Sequence, residues 1–137
     1  MHTTNYINTF ISIAEDCPAT TAQIPPDKAG EKTIAGLQFE IVKKNPYKYT
    51  SDDVLFQVHA IRNEITKGEM AKEREKFFSK GQACFRSSPL GKRYGWGVHS
   101  DEKGRIAIYA MESPEYKKLA KDKSLEHTRA MRSKREK

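Results

Sequence analysis

The sequence predicts a single α+β domain, with a mainly antiparallel sheet of about four strands and roughly three to four helices packed on it. Segments with helical spacing of apolar residues follow one another in the first half of the chain, and segments with alternating apolar residues come after them. Consecutive helices followed by consecutive strands are typical of α+β proteins. The length of 137 residues fits one domain, and six Tyr, six Phe and one Trp exclude a wholly disordered chain. The predicted order is strand, loop, helix, helix, helix, strand, hairpin and helix.

The first element is predicted to be a strand over residues 6–14. This segment is rich in β-branched and aromatic residues, and Ile7, Ile11 and Ile13 share one face. The prolines and the glycine in residues 15–30 predict a long loop after it.

Residues 33–44 admit two interpretations. Apolar residues recur at helical spacing from Ile34, and Thr33 is a suitable N-cap. The alternation from Leu37 to Ile41 is instead typical of a strand. A helix is favoured because the helical pattern is the longer one and a proline follows two residues after it.

Two further helices are predicted over residues 51–65 and 66–80. The first begins with Ser51 as a possible N-cap, followed by two acidic residues that suit the positive end of the helix dipole. Thr66 and Glu69 have the spacing of a capping box at the start of the second. The residues expected to be buried are Val54, Val58, Ile61 and Ile65 in the first helix, and Phe77 and Phe78 in the second.

The C-terminal half is predicted to form the rest of the sheet. Residues 83–86 are expected to be a short strand, and residues 94–98 and 105–111 alternate as two strands joined by a hairpin turn. Gly104 suits the left-handed position of that turn. Ser113 and Pro114 then predict a helix start.

The positive charge is concentrated at the C-terminal end. The chain has a formal net charge of +7, yet residues 117–137 alone hold nine basic and three acidic residues. We therefore predict a domain over residues 1–123 and a mobile basic tail over residues 124–137. Such a tail can bind nucleic acid without sequence preference, or it can simply be a solvated end. The tail residues predicted to attract nucleic acid are Arg129, Arg132, Lys134 and Arg135.

The segment from Cys84 to His99 is the main candidate site. Basic side chains, small hydroxyls and a glycine are what an anion-binding loop needs, although the spacing matches no known phosphate-binding motif. The alternative interpretations are that this loop is only a tight connection between two strands and that Trp96 is a core residue. The predicted ligand-binding residues are Arg86, Ser87, Ser88, Lys92, Arg93, Trp96 and His99.

A catalytic site is also considered. If residues 83–86 were a strand beside His99, then Cys84 and His99 could form a nucleophile pair, and Asp52 or Asp53 is an alternative partner for the histidine. A buried structural cysteine is the competing interpretation. No ligand-pair spacing of His and Cys predicts a metal site, and no motif predicts a cofactor.

Three blocks of the sequence resemble a known family. They are residues 49–56 (YTSDDVLF), residues 85–90 (FRSSPL) and residues 93–97 (RYGWG) followed by His99. In these the chain is similar to a family of short bacterial and fungal proteins that is catalogued only as a domain of unknown function. The resemblance implies a single cytosolic domain and assigns no activity, ligand or catalytic residue.

The sequence predicts function only in outline. The favoured hypothesis is a non-enzymatic cytoplasmic binding module for an anionic ligand, either phosphate-bearing or nucleic acid. The alternatives are a protein–protein adaptor that uses Tyr47 and Tyr49, and a small enzyme in the same cleft. No apolar run approaches the ~20 residues of a membrane helix, and the N-terminus does not have the pattern of a signal peptide. The oligomeric state is left open.

Overall fold

A computed structural model describes residues 2–133 and shows an α+β fold with a four-stranded mixed sheet and five helices. The strands are β1 (Thr9–Ser12), β2 (Trp96–Ser100), β3 (Ile106–Ala110) and β4 (Glu126–Arg129). The helices are α1 (Ile34–Lys44), α2 (Ser51–Arg62), α3 (Met70–Phe77), α4 (Pro89–Lys92) and α5 (Pro114–Ala120). Two 3-10 turns, Lys67–Glu69 and Phe85–Ser87, precede α3 and α4.

The sheet has the order β3-β2-β1-β4 and is not purely antiparallel. The β3–β2 and β2–β1 pairs are antiparallel, whereas β4 lies parallel to β1. The prediction that residues 83–86 form a strand is wrong, because residues 85–87 are a 3-10 turn that buries Phe85 in the core. The fourth strand of the sheet is β4, which pairs with β1.

Strand β4 lies within the segment that was predicted to be a mobile tail. The N–H of Glu126 donates to the carbonyl of Asn8, and the N–H of Ala130 donates to the carbonyl of Ser12. Ala130 is buried against the core, while the strand residues before it are largely exposed. The apolar spacing thins here because β4 is an edge strand, so its sequence has the composition of a surface segment.

Each face of the sheet packs against a different helical layer. Val98 and Ile108 point to the main core, where they meet Val42 of α1 and Val54 of α2. The other face carries α5, whose Tyr116 ring lies edge-on to Phe10 of β1 at 5.0 Å between centroids.

The region left ambiguous by the sequence is a helix. Thr33 is the N-cap of α1, and its side chain accepts a hydrogen bond from the N–H of Gly36. The tertiary packing agrees with the helical pattern, since Val42 is buried on one face of α1 while Lys43 and Lys44 are exposed.

Helix α2 is also confirmed, but its cap and its buried faces differ from the prediction. Thr50, not Ser51, is the N-cap, and it forms a reciprocal capping box with Asp53. Ile61 is 54% exposed. The reason is that α2 is buried on two sides, one facing α1 and one facing α3 through Phe56 and Ala60, so the single stripe expected from spacing does not form.

The third predicted helix is shorter than expected. Thr66 donates to the carboxylate of Glu69 instead of capping the backbone, and the first turn is 3-10. Helix α3 then ends at Phe77, and Phe78 is buried in a small apolar cluster with Phe56.

The hairpin and the last helix follow the sequence prediction. Gly104 has a φ of 79° in the turn between β2 and β3. Ser113 caps α5 by accepting from the N–H of Tyr116, and Pro114 occupies its first turn. Among the described residues, we find no helix with the length and apolar character required to cross a membrane.

Candidate functional site

The predicted anion-binding residues do not form one site. Arg86 and Ser87 instead hold the end of the described chain. The Arg86 Nε donates to the carbonyl of Arg129 at 2.7 Å, and the Ser87 hydroxyl donates to the Met131 sulfur at 3.0 Å. The N–H of Met131 in turn donates to the carbonyl of Arg86. These contacts join the loop before α4 to the segment that follows β4.

Ser88 belongs to the fold as the N-cap of α4. Its hydroxyl donates to Gln38 Oε1 at 2.6 Å and accepts from the N–H of Leu90. Lys92 is the last residue of α4, and Arg93 is exposed just after it.

Trp96 lies in the core. It is 7% exposed, its ring packs against Phe39 at 5.1 Å between centroids, and its Nε1 donates to the carbonyl of Gln23. A buried indole with a satisfied N–H anchors the fold and offers no stacking surface to a ligand.

His99 lies on the other face of the sheet from Trp96, in a chain of hydrogen bonds. Its Nδ1 is 2.6 Å from the Tyr47 hydroxyl, which is 2.8 Å from the Tyr109 hydroxyl. Burial lowers the pKa of His99, although the nearby acids Asp101, Asp122 and Glu102 oppose this. Burial and the Tyr109 hydroxyl raise the pKa of Tyr47.

The proposed catalytic pairs are not formed. The Cys84 sulfur is 3.4 Å from the Tyr6 hydroxyl, and the neighbours of β2 in the sheet are β1 and β3, so residues 83–86 do not lie beside His99. Asp52 accepts hydrogen bonds from Thr3 and Thr4, which fastens the N-terminal segment to α2.

Asp53 also has a structural role. It closes the capping box of α2, and its carboxylate pairs with Arg74 of α3 at 2.8 Å. That ion pair links α2 to α3, so the Asp53 carboxylate is engaged by Arg74 and is not paired with His99.

Two of the four predicted nucleic-acid-binding residues lie in the described part of the chain. Arg129 is the last residue of β4, and Arg132 lies 3.9 Å from the Glu15 carboxylate. Lys134 and Arg135 are outside the described residues.

The residues considered for an adaptor surface are half-buried. The Tyr47 hydroxyl is bonded to His99, and Tyr49 packs against the main core. They do not form the exposed aromatic surface that an adaptor would need.

The candidate site is a groove between α1, α2, α3 and the start of α4. We call it the α2 groove; its volume is about 490 Å³, within the range of roughly 300–1,000 Å³ that is typical of ligand pockets. It is lined by Ile34, Gln38, Leu55, Val58, His59, Arg62, Asn63, Phe77, Gln82, Ala83, Cys84, Ser87, Ser88 and Pro89. Of the residues predicted from the sequence, it contains Cys84, Ser87 and Ser88.

The floor of the α2 groove is one stripe of helix α2. Leu55, His59 and Arg62 are four and three residues apart, so they lie on the same side of the helix. This stripe lies between the side that packs on α1 and the side that packs on α3. The groove is therefore the gap that remains where α2 separates the main core from the smaller cluster around Phe78.

The charge of the α2 groove has one sign. None of its lining residues, all within residues 2–133, is an Asp or a Glu, and Arg62 is its only Lys or Arg. Arg62 forms no ion pair with any residue of the described range. The Asn63 amide nitrogen is 3.2 Å from His59 Nδ1, an arrangement that suits an imidazole with its proton on Nε2.

Gln38 adds a hydrogen-bond donor to the wall. The residue is 4% exposed, and its Oε1 accepts from Ser88. Within the described part of the chain, its amide nitrogen has no hydrogen-bond partner. Since no buried side-chain nitrogen or oxygen of the described residues lacks a partner, this nitrogen reaches solvent, and it can donate to an acceptor atom of a ligand in the groove.

The α2 groove continues into a second pocket beside α3, which we call the α3 pocket. The two share His59, Asn63, Phe77 and Gln82. In contrast to the groove, the α3 pocket contains three glutamates and two lysines. Among residues 2–133, no group of His, Cys, Asp and Glu side chains is arranged to hold a metal ion.

Sequence analysis missed Arg62 and Gln38. Neither belongs to a recognisable motif, and they come from two helices that meet only in the folded chain. In the sequence, Leu55, His59 and Arg62 have helical spacing and mark one side of α2. This side lies beside the one predicted to be buried.

Comparison with known proteins gives a family but no activity. No curated protein and no solved structure matches the chain at a significant level. The profile of one family, described as a family of unknown function (DUF6157), matches residues 1–136. Since the match spans nearly the whole chain, the protein belongs to this family of unknown function.

Proposed function

We propose that this protein is a non-enzymatic binding module for an anionic small molecule, held in the α2 groove. The observation that carries the proposal is the charge of the groove: Arg62 is present and, among residues 2–133, no carboxylate lines it. An apolar pocket with a few convergent polar groups is the usual form of a small-molecule site. A guanidinium without an ion pair is suited to a carboxylate or phosphate oxygen.

The proposed anion site is the α2 groove and not the loop that the sequence predicted. Ser87 and Ser88 of the predicted set line this groove, but its cation is Arg62 and not Arg86 or Arg93. The dimensions of the groove favour a small molecule over nucleic acid.

The test is a titration followed by amide chemical shifts in two-dimensional NMR. The probes are octanoate and adenosine monophosphate as anions and octylammonium as a cation. At least one anion should shift the amides of Val58, Arg62 and Ala83 saturably, and Arg62→Gln should weaken that binding about tenfold or more.

The matched control is Lys103→Gln, which removes one positive charge from the exposed hairpin turn far along the chain from the groove. It should leave the affinity within about twofold, because exposed charges at a distance are screened. The proposal fails if neither anion shifts the groove amides, or if both substitutions weaken binding equally.

A further inference from the structure

We infer that the ligand of the α2 groove is an elongated apolar monocarboxylate, with its acid at Arg62 and its body along the floor of the groove. This inference rests on the proposed function and names the chemical class of the ligand. It depends on three properties of the site: the number of charges, the apolar length and the position of the acidic side chains beyond it.

The number of charges favours a monoanion. Among residues 2–133, Arg62 is the single Lys or Arg that lines the groove, and beside it the Asn63 amide nitrogen lies 3.2 Å from His59 Nδ1. A phosphate monoester carries a charge of about −1.5 to −2 at neutral pH, and such ligands are normally held by several cations or by a row of backbone N–H groups. A carboxylate carries one charge and matches one guanidinium in a bidentate pair.

The apolar length favours an extended body. From Leu55 to Arg62, the floor of the groove follows α2 for roughly 10 Å, at about 1.5 Å of rise per residue. Val58 and Phe77 line the same stretch. A ligand that fills this length removes apolar surface from water, which is the main source of affinity in such pockets.

The α3 pocket defines where the charged end of the ligand stops. Beyond His59 and Asn63, its lining holds three glutamates (Glu64, Glu69 and Glu73) and two lysines (Lys76 and Lys80), a formal net charge of −1. This net negative charge is unfavourable, though only weakly, for a second anionic group that extends past Arg62. An acid that stops at Arg62 avoids this repulsion.

Gln38 favours a ligand that carries an additional hydrogen-bond acceptor. Its amide nitrogen, without a partner among the described residues, can donate to an acceptor oxygen on the ligand. A carboxylate with an additional hydroxyl or carbonyl group should therefore bind more tightly than the simple acid, provided that the group can reach Gln38.

The test compares four compounds. Octanoate, octanol and octyl phosphate have the same chain length, and adenosine monophosphate has the same phosphate group as octyl phosphate. Affinities are measured by calorimetry on the full chain, and the site is located by NMR. Octanoate should bind most tightly, octanol about tenfold more weakly, and Arg62→Gln should remove the difference between those two. Lys103→Gln should keep it.

Three results would overturn the inference. The first is equal binding of octanol and octanoate, and the second is an affinity for octanoate that does not change in Arg62→Gln. The third is tighter binding of octyl phosphate or adenosine monophosphate with full dependence on Arg62, which would leave the proposed anion-binding function standing. If no anion binds in the groove at all, both proposals fall.

Discussion

Gly97 has no space for a side chain, because two aromatic rings cover its position on the sheet. A Cβ placed there would lie 2.6 Å from Phe10 Cζ and 2.6 Å from Tyr116 Cε2. Its φ is not in the left-handed region, so the requirement for glycine is steric and not conformational. The residue thus allows α5 to pack directly on the sheet.

We expect Gly97→Ala to lower the free energy of unfolding by about 2 kcal/mol, since overpacking a rigid contact usually costs roughly 1–3 kcal/mol. The measurement is urea denaturation followed by tryptophan fluorescence. Gly68→Ala is the control, because a Cβ there meets nothing within 4 Å and the change should stay within roughly 0.5 kcal/mol. Equal effects at the two glycines would contradict this account of the α5 contact.

Single residues also show why the candidate site was only partly predictable. Ser87 and Ser88 were predicted as site residues because their local sequence is typical of an anion-binding loop, and they line the groove. Arg62 and Gln38 belong to no recognisable motif, because their contribution to the site depends on the residues that the fold brings near them. Whether a guanidinium or an amide has a partner among the described residues is a property of the tertiary structure, so sequence spacing does not report it.

Helix starts provide a comparison between two similar sequences. Thr50 and Asp53 form a complete capping box at α2, with the Thr50 hydroxyl accepting from the Asp53 N–H and the Asp53 carboxylate accepting from the Thr50 N–H. Thr66 and Glu69 have the same spacing, but their side chains bond to each other and leave the backbone uncapped.

We therefore expect Thr50→Ala to destabilise the protein by about 1 kcal/mol, as the loss of an N-cap usually does. Thr66→Ala should change the free energy of unfolding by no more than roughly 0.5 kcal/mol, because an exposed side-chain bond contributes little. Thermal unfolding of both variants checks the difference. A larger loss at Thr66 than at Thr50 would show that the assigned cap is the wrong one.

Elements with local signals were predicted well, and elements that depend on distant partners were not. Helices α1, α2 and α5 have their own caps and apolar spacing, and the β2–β3 hairpin has its own turn. Strand β4 has neither, because it exists through pairing with β1, which lies at the opposite end of the chain. The short segment before α4 was predicted to be a strand, yet residues 85–87 form a 3-10 turn and Phe85 is buried in the core.

At the scale of the whole molecule, the first and last strands of the described residues are neighbours in the sheet. Strand β1 lies between β2 and β4, and β4 forms the edge of the sheet. Arg86 adds a second connection through its bonds to the backbone of residues 129 and 131. The basic segment up to residue 133 is therefore part of the folded body, and its charge is carried on an edge strand and the residues after it.

Ala130 provides the test of that arrangement. It is 3% exposed, and the position of a Cβ on Gly91 would be only 2.9 Å from its methyl group, so a larger side chain has no room. We expect Ala130→Leu to cost about 2 kcal/mol of stability, whereas Lys123→Leu at an exposed position should cost no more than roughly 0.5 kcal/mol. The measurement is urea denaturation of both variants.

Hydrogen exchange gives an independent readout of the same contact. The amides of Glu126 and Ala130 donate to the carbonyls of Asn8 and Ser12, so they should exchange with the protection of the sheet and not at the rate of an open chain. In Ala130→Leu, that protection should fall first in β4 while the β2–β3 hairpin keeps its own. Fast exchange at both amides in the unmodified protein, together with a harmless Ala130→Leu, would mean that β4 does not hold the two ends of the chain together.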